Sequence, residues 1–431
     1  MDGVQRVFAS ILLRDLCTCE MCVDVSTKQK LFSTVDIPLD VQGTARNTED
    51  GVHIRWTNDI AGYGPEHVTH IPNASLQSIV EHGCATPEFK PPQRVLWEDK
   101  RFRADVQDMP YDAYMGDDAT LHRAVRQLHT HGLLFLTNVP EAESSVATIA
   151  ERIGPLKNTF YGMTWDVRSV PQAKNVAYTS QDLGFHMDLL YMKQPPHLQL
   201  LHCIRSSSVG GASLFTDSFR AASNLYLLHP NAFAALSTLQ VDFHYNHPDS
   251  HYYRQSRSLI ELKRLKLGPL KFGGLPAMLR AMEGENTIGP VTADAFGASD
   301  WIDAVSWAPP FQAPFSMLST ADVDNAVPWP FKAQALKVTE HALGDKVRRW
   351  HAAAQNFHGM IHESEGIYER MMKPGECVIF DNRRVLHARK AFEVGDAGKE
   401  RWLRGAYIDR DPYMSKMRVL HDRFGSLQKE R

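Results

Sequence analysis

His186-x-Asp188 and the far downstream His387 set the hardest condition on how this chain can fold. Two imidazoles and one carboxylate act together only if they converge. They can then occupy one face of a metal ion and leave the opposite face open. Side chains at i and i+2 of an extended strand point to the same side, so His186 and Asp188 read as the end of one strand. His387 sits in Asp381-Asn-Arg-Arg-Val-Leu-His-Ala-Arg, near the start of another strand late in the chain. The fold must therefore bring two distant strand ends to one place, as the mouth of a jelly roll does. Arg401, a little beyond His387, can lie on a neighbouring strand and grip a carboxylate by a bidentate contact.

The rest of the pattern agrees with such a fold. Short apolar or alternating runs sit beside Gly and Pro turns: Gly132-Leu-Leu-Phe-Leu-Thr-Asn, Val176-Ala-Tyr, Leu198 to Ile204, and Leu214-Phe-Thr after Gly210-Gly211. Lys373-Pro-Gly-Glu-Cys-Val-Ile-Phe-Asp, Val385-Leu-His-Ala-Arg and Trp402 to Ile408 continue the series. Many short strands with such turns indicate a sandwich or jelly roll. Ala119 to His129, Val146 to Ile153, Ala221 to Ala235 and Phe331 to Ala354 have helical spacing. The expected class is α+β, mainly β: a double-stranded β-helix buttressed by helices.

The first hundred residues stand apart, with a cysteine cluster, a strand at Val52 to Trp56 and a His-rich stretch from His67 to His82. Val7 to Leu13 predicts an early strand. Pro87, Pro91 and Pro92 mark a linker between about Thr86 and Pro110. The expected domains are a small β-rich one at 1–98 and a larger one at 99–431, with an insertion near 246–317.

With 431 residues, 43% hydrophobic and 23% charged, the chain reads as an ordinary globular protein of two domains. A net charge of -3 gives no reason to expect nucleic acid or an anionic membrane as partner. No apolar run approaches the roughly 20 residues that span a bilayer. The N-terminus carries Arg6 and Arg14 but also Asp2 and Asp15, a poor signal or transit peptide. Six cysteines without a secreted disulfide spacing make a reducing, cytoplasmic setting the expectation.

Cys17-x-Cys19-x-x-Cys22 offers three thiolates in one tight loop. Three sulfurs and one imidazole make a closed tetrahedral zinc site, structural rather than catalytic. The fourth ligand would be a later histidine, with His67, His70 and His82 as candidates and Cys84 as a weaker one.

Taken together, the donor set and Arg401 suggest oxygen activation at non-haem Fe(II) driven by a 2-oxo acid. Several motifs then carry a closer resemblance. They are Thr159-Phe-Tyr-Gly-Met-Thr-Trp165, Asn175-Val-Ala-Tyr-Thr179, Phe185-His-Met-Asp188, Leu200-Leu-His-Cys203, Gly210-Gly211, Phe380-Asp-Asn-Arg-Arg-Val-Leu-His-Ala-Arg389 and Gly405-Ala-Tyr407. On these the chain resembles the taurine-dioxygenase-like 2-oxoglutarate oxygenases, and within them the γ-butyrobetaine hydroxylase and trimethyllysine dioxygenase branch. The likeness runs from Leu12 to Leu420.

It implies that His186, Asp188 and His387 hold Fe(II), and that Arg401 binds the tail of 2-oxoglutarate. O2 is the other co-substrate, ascorbate a reductant, and a homodimer the assembly. It also implies the N-terminal zinc site, with His67, in Pro65-Glu-His-Val, as the best-aligned fourth ligand. By matched position, Tyr161, Trp165, Tyr178 and Tyr407 become a cage for a trimethylammonium group. A quaternary ammonium donates no hydrogen bond, so ring faces suit it, at ~0.5–2 kcal/mol for each desolvated contact. Tyr161 and Trp165 would share a face if their segment were helical. Asn175 matches an Asn that helps hold the substrate carboxylate in the γ-butyrobetaine enzymes, where the trimethyllysine enzymes tend to carry an acidic residue. The expected reaction is hydroxylation of a small quaternary-ammonium acid, γ-butyrobetaine to carnitine.

The likeness fails from about Asn246 to Met317, with an apparent insertion around Leu265 to Asp300. Where the animal enzymes carry an Asn-rich stretch, this chain has Ser306-Trp-Ala-Pro-Pro-Phe-Gln-Ala-Pro-Phe. That leaves trimethyllysine or a specialised metabolite as the alternative substrate. A zinc-stabilised binding protein without catalysis is the alternative of a different class.

Overall fold

The computed structural model describes residues 6–86, 89–168, 180–207, 209–263, 301–316, 340–393 and 401–425. The expectations for Val176-Ala-Tyr, for the insertion between 264 and 300, and for the start of the Phe331 to Ala354 helix lie outside them. The chain divides into two compact units, Met1–Lys90 and Pro91–Arg431.

The first unit is built on an antiparallel sheet of Gly43–Asn47, Gly51–Trp56 and Val68–Pro72. Alternation puts Ile54, Trp56 and Ile71 inside, with Ile37, Val41, Ile60 and Leu76. The Trp56 indole N–H donates to Thr69 Oγ1 at 2.9 Å, so the buried ring leaves no polar atom unpaired. Val7 to Leu13 is not a strand: Ser10–Asp15 is a helix whose end runs straight into the cysteine loop. Its apolar run is too short for periodicity to separate strand from helix. Packing decides, because Ile11 and Leu13 lie against the core of this unit.

The second unit holds two principal sheets. In one, the strand order is Met109–Pro110, Leu133–Thr137, Glu376–Asp381, Leu198–Arg205, Trp402–Ile408 and Thr164–Arg168. In the other it is Ile367–Arg370, Ser213–Asp217, Val385–Arg389 and Leu183–His186. Pairing is antiparallel except between Met109–Pro110 and Leu133–Thr137. From Leu183 to Arg205 to Asp217, and again from Ile367 to Ile408, successive strands alternate between the sheets. Apolar side chains from both meet in one cluster: Phe135, Val378, Phe380 and Leu403 from the larger, Phe215, Tyr368 and Val385 from the smaller. Glu376–Asp381 lies between two strands and is buried throughout.

Helices cover this frame. Asp118–Thr130 starts where the Asp117 carboxylate accepts from the N–H groups of Ala119 and Thr120. Gly132, at φ 76°, then turns the chain into Leu133–Thr137. The run Ala221 to Ala235 is two helices, Ser218–Leu228 and Pro230–Thr238, because Pro230 breaks the register and starts a new one. With Glu340–Ile361 they pack Phe219, Leu225, Phe233, Leu236 and Phe357 into a second core that includes Leu386 and Ala388. The Arg384 guanidinium, fully buried, donates to both oxygens of Asp217 at 3.0 and 2.7 Å and to the Thr130 carbonyl at 2.8 Å. It thereby fixes the start of Val385–Arg389 to Ser213–Asp217.

Candidate metal centres and active-site cavity

His186 ends its strand and is the register partner of His387 on the neighbouring one. The two rings lie 4.1 Å apart between centroids. The Gly184 carbonyl accepts from His186 Nδ1 at 2.9 Å, which sets the tautomer and leaves the Nε2 lone pair free. Asp188 Oδ1 lies 3.5 Å from that Nε2, and the donor atoms of His186, Asp188 and His387 all fall within 4.8 Å of one another. Asp188 stands just past the strand, where Leu189 takes φ 61°. That region is rarely adopted by a bulky residue. Asn382 holds the turn: its side chain accepts from Asp188 N at 2.9 Å and donates to Asp188 O at 3.0 Å.

The electrostatics suit a cation. Burial pushes the Asp188 carboxyl up. The close approach of the His186 ring, the neighbouring His387 and the Tyr407 hydroxyl, which donates to Oδ2 at 2.7 Å, outweigh it and hold the group well below the usual range. Burial, and then His186, push His387 down to about 3, so its imidazole is neutral at physiological pH. Its Nδ1 is buried with no hydrogen-bond partner among the described residues. One ionised carboxylate and two converging imidazoles fit a divalent transition ion held on one face.

A cavity opens from these donors. Arg401 lines it, 5% exposed, with no carboxylate partner among the described residues and its guanidinium over the Phe392 ring. Burial, and then Arg389, push Arg401 down to about 10, which leaves it charged at neutral pH. A buried cation without a counter-ion is costly, and a ligand carboxylate relieves that cost. Tyr161, Trp165 and Tyr407 line the same cavity. The stretch with Tyr161 and Trp165 is not helical. It is a turn followed by the strand Thr164–Arg168, pulled extended by pairing with Trp402–Ile408. Trp165 stacks on Tyr407 at 3.9 Å and 22°. Gly405 makes this packing feasible, since a Cβ there would meet the Trp165 indole at 2.4 Å. Asn175 and Tyr178 lie outside the described residues.

Several lining residues had no role in the sequence reading. Arg389 is a second guanidinium beside Arg401; Tyr191 and Phe311 are further aromatics. Gln199 also lines the cavity, and its Oε1 is buried with no hydrogen-bond partner among the described residues. Asn382 and Arg389 were in view within the Asp381 to Arg389 motif. Nothing local marked Tyr191 or Gln199.

In the first unit, Cys17, Cys19, Cys22 and His67 bring four donor atoms within 4.8 Å of one another. His67 Nε2 lies 3.4 Å from Cys17 Sγ and 3.3 Å from Cys22 Sγ, and the Sγ atoms of Cys17 and Cys19 are 3.5 Å apart. A tetrahedron with zinc's usual bond lengths has edges of about 3.5–3.8 Å. Asp59 Oδ2 accepts from His67 Nδ1 at 2.5 Å, leaving Nε2 to face the sulfurs. Arg14 binds the other oxygen of Asp59 and also donates to Cys22 Sγ at 3.4 Å. Burial and then Cys17 push the Cys22 thiol up to about 12, so a cation at the cluster would be needed to ionise that thiol at neutral pH. His70, His82 and Cys84 are not part of it.

Comparison with known proteins assigns the class. The model of the taurine catabolism dioxygenase TauD, TfdA family matches residues 91–407, and the chain belongs to this family. It is an enzyme of the Fe(II)/2-oxoglutarate-dependent dioxygenase class. Dioxygenase str8 of Strobilurus tenacellus is 32% identical over 429 residues, covering 95% of this chain and 84% of that protein. A gamma-butyrobetaine dioxygenase of Pseudomonas sp. (strain AK-1) is 29% identical over 426 residues, covering 97% and 92%. The mitochondrial trimethyllysine dioxygenase of Gallus gallus is 24% identical over 424 residues, covering 97% and 84%. Within the family, the chain falls in the γ-butyrobetaine hydroxylase and trimethyllysine dioxygenase branch. Among the described residues, no helix is long and apolar enough to cross a membrane.

Proposed function

We propose that the second unit is a jelly-roll oxygenase that hydroxylates a small quaternary-ammonium carboxylic acid, γ-butyrobetaine to carnitine. The observation that carries this reading is one shared cavity: the His186, Asp188 and His387 donors, the buried Arg401 and the aromatic rings of Tyr161, Trp165 and Tyr407 all line it. In this reading His186, Asp188 and His387 bind Fe(II), and Arg401 binds the far carboxylate of 2-oxoglutarate. Bound iron supplies the activation of O2, coupled to decarboxylation of the 2-oxo acid. Tyr407 keeps Asp188 ionised through its hydroxyl while its ring, with Trp165 and Tyr161, offers π faces to the trimethylammonium group. Asn175 and Tyr178 complete the substrate contacts. The cage decides which carbon is presented, and a misplacement of ~1 Å costs a large part of the rate. In the first unit Cys17, Cys19, Cys22 and His67 hold a structural zinc.

Succinate release with Fe(II) and 2-oxoglutarate tests the proposal, with γ-butyrobetaine and trimethyllysine compared side by side. Stimulation by γ-butyrobetaine is expected, and its absence refutes this substrate. Trp165→Leu is expected to remove activity on quaternary-ammonium substrates alone; unchanged turnover refutes the cage. One observation favours a second reading, the same chemistry on trimethyllysine or a specialised metabolite. Phe311, from the divergent Ser306 to Phe315 stretch, contributes an apolar wall to the cavity.

A further inference from the structure

His70 was a candidate for the zinc cluster, and the fold takes it elsewhere. It sits inside Val68–Pro72, where Thr69 and Ile71 are buried and His70 points to the other face. On that face its register partner across the hairpin is His53. Their rings lie 4.5 Å apart and tilted by 43°. Asp50, at the turn before Gly51–Trp56, brings Oδ2 to 3.1 Å from His70 Nε2. That nitrogen is nevertheless buried with no hydrogen-bond partner among the described residues. The two atoms approach off the hydrogen-bonding line, as donors around a common centre do. Donor atoms of Asp50, His53 and His70 all lie within 4.8 Å of one another.

We propose that Asp50, His53 and His70 form a second, exchangeable metal site, separate from the sulfur cluster, that takes a divalent ion of the Zn(II), Ni(II) or Cu(II) type. Two imidazoles and one carboxylate are borderline donors. They suit these ions, and they do not suit Mg(II) or Ca(II), which take oxygen. The backbone prepares the site. The Asp50 carbonyl accepts from Asn73 N at 3.0 Å, and Thr48 Oγ1 donates to Asp50 Oδ1 at 2.7 Å, which leaves Oδ2 for the ion. Gly51 keeps the strands close: a Cβ there would lie 2.2 Å from the Ile71 carbonyl and 2.9 Å from His70 Nε2. The site differs in kind from the sulfur cluster. Cys17, Cys22 and His67 are buried, whereas the Asp50 side chain is 67% exposed and that of His70 37%. It has three protein ligands, leaves a coordination position to water and exchanges with free metal. A bound ion ties the turn to both strands of the hairpin, one of which begins directly after His67.

The test is equilibrium dialysis of the zinc-replete full-length protein against micromolar Zn(II), with metal counted per chain. His358 and His362, an exposed pair whose rings stack at 4.0 Å, are the competing surface chelator, so His358→Ala is the control. Wild type and His358→Ala are expected to take up one more zinc than His53→Ala or His70→Ala. Affinity for that ion should fall roughly tenfold or more when one imidazole is lost. The tightly held zinc should be unchanged in every variant, which reports an intact first unit. Should His53→Ala release that zinc too, Asp50→Asn, altered at an exposed side chain, decides by the same difference. The proposal is overturned if the extra zinc persists in His53→Ala and His70→Ala, if His358→Ala removes it, or if wild type takes up none.

Discussion

The two buried donor clusters are built on opposite plans. In the first unit, three sulfurs and an imidazole surround a centre, and Arg14 and Asp59 pack behind them. Every position is filled by the protein, so an ion there has nothing left to bind. In the second unit, His186, Asp188 and His387 meet from one side, and a cavity with Arg401 and aromatic rings lies on the other. The contrast teaches that openness, more than ligand count, separates a structural centre from a reactive one. A closed cluster fixes a loop, whereas an open one needs a pocket that chooses what arrives.

The sharpest way to break this contrast is to remove one ligand from each cluster. Asp188→Ala should lower substrate-driven succinate release by ~10³-fold or more, since the ion's several kcal/mol act at tenfold per 1.36 kcal/mol. Zinc content should not change. Cys17→Ser should do the reverse: zinc is lost and the first unit melts early by circular dichroism, because a structural zinc contributes folding energy outright. If Cys17→Ser keeps its zinc and melts normally, the closed cluster is not a structural centre.

A smaller effect tests the cavity. Arg401→Gln should raise the KM for 2-oxoglutarate with iron affinity unchanged, at a cost of ~2–5 kcal/mol for a desolvated charge pair. An unchanged KM removes Arg401 from co-substrate binding. Tyr407→Phe should cost less, ~1.5–3 kcal/mol, for one hydrogen bond to a charged group, read as weaker iron binding by titration.

A last effect, read on stability rather than on activity, is that of pH on the frame behind the open site. Burial pushes His202 down to about 4, and burial with Arg94 pushes His129 down to about 3, from an ordinary 6.5. The unfolded chain takes up these protons below 6.5 and the folded chain does not. This stabilisation is therefore complete above pH 6.5 and is lost as pH falls towards 3. The urea midpoint at pH 4.5 should lie below that at pH 7.5, and His202→Leu should narrow the gap.

Much of this was legible where the information is local. Cys17, Cys19 and Cys22 stand within one turn, and His186 and Asp188 two apart, so spacing reports which donors share a loop or a strand end, while the iron chemistry of His186 and Asp188 is legible only with His387, Arg401 and the family resemblance. The strands Leu198–Arg205 and Val385–Arg389 were readable from apolar runs beside turns. Ser10–Asp15 was misread because its run is short enough to fit either period. The stacking of Trp165 on Tyr407 had no local signal, since it depends on Gly405 in a paired strand. The same holds for Gln199 and Tyr191, whose roles come from what lies across the cavity.

By itself the sequence determined the donor types, the cysteine loop, and a chain of short strands with covering helices. These follow from side-chain chemistry and from the two- and 3.6-residue periods, which act over a few residues. Only the tertiary structure decided that His387 pairs in register with His186 and that His70, outside the sulfur cluster, faces His53. Those choices join residues far apart in sequence. They are made by strand register and core packing, where a slip of one residue would turn each of these side chains to the opposite face.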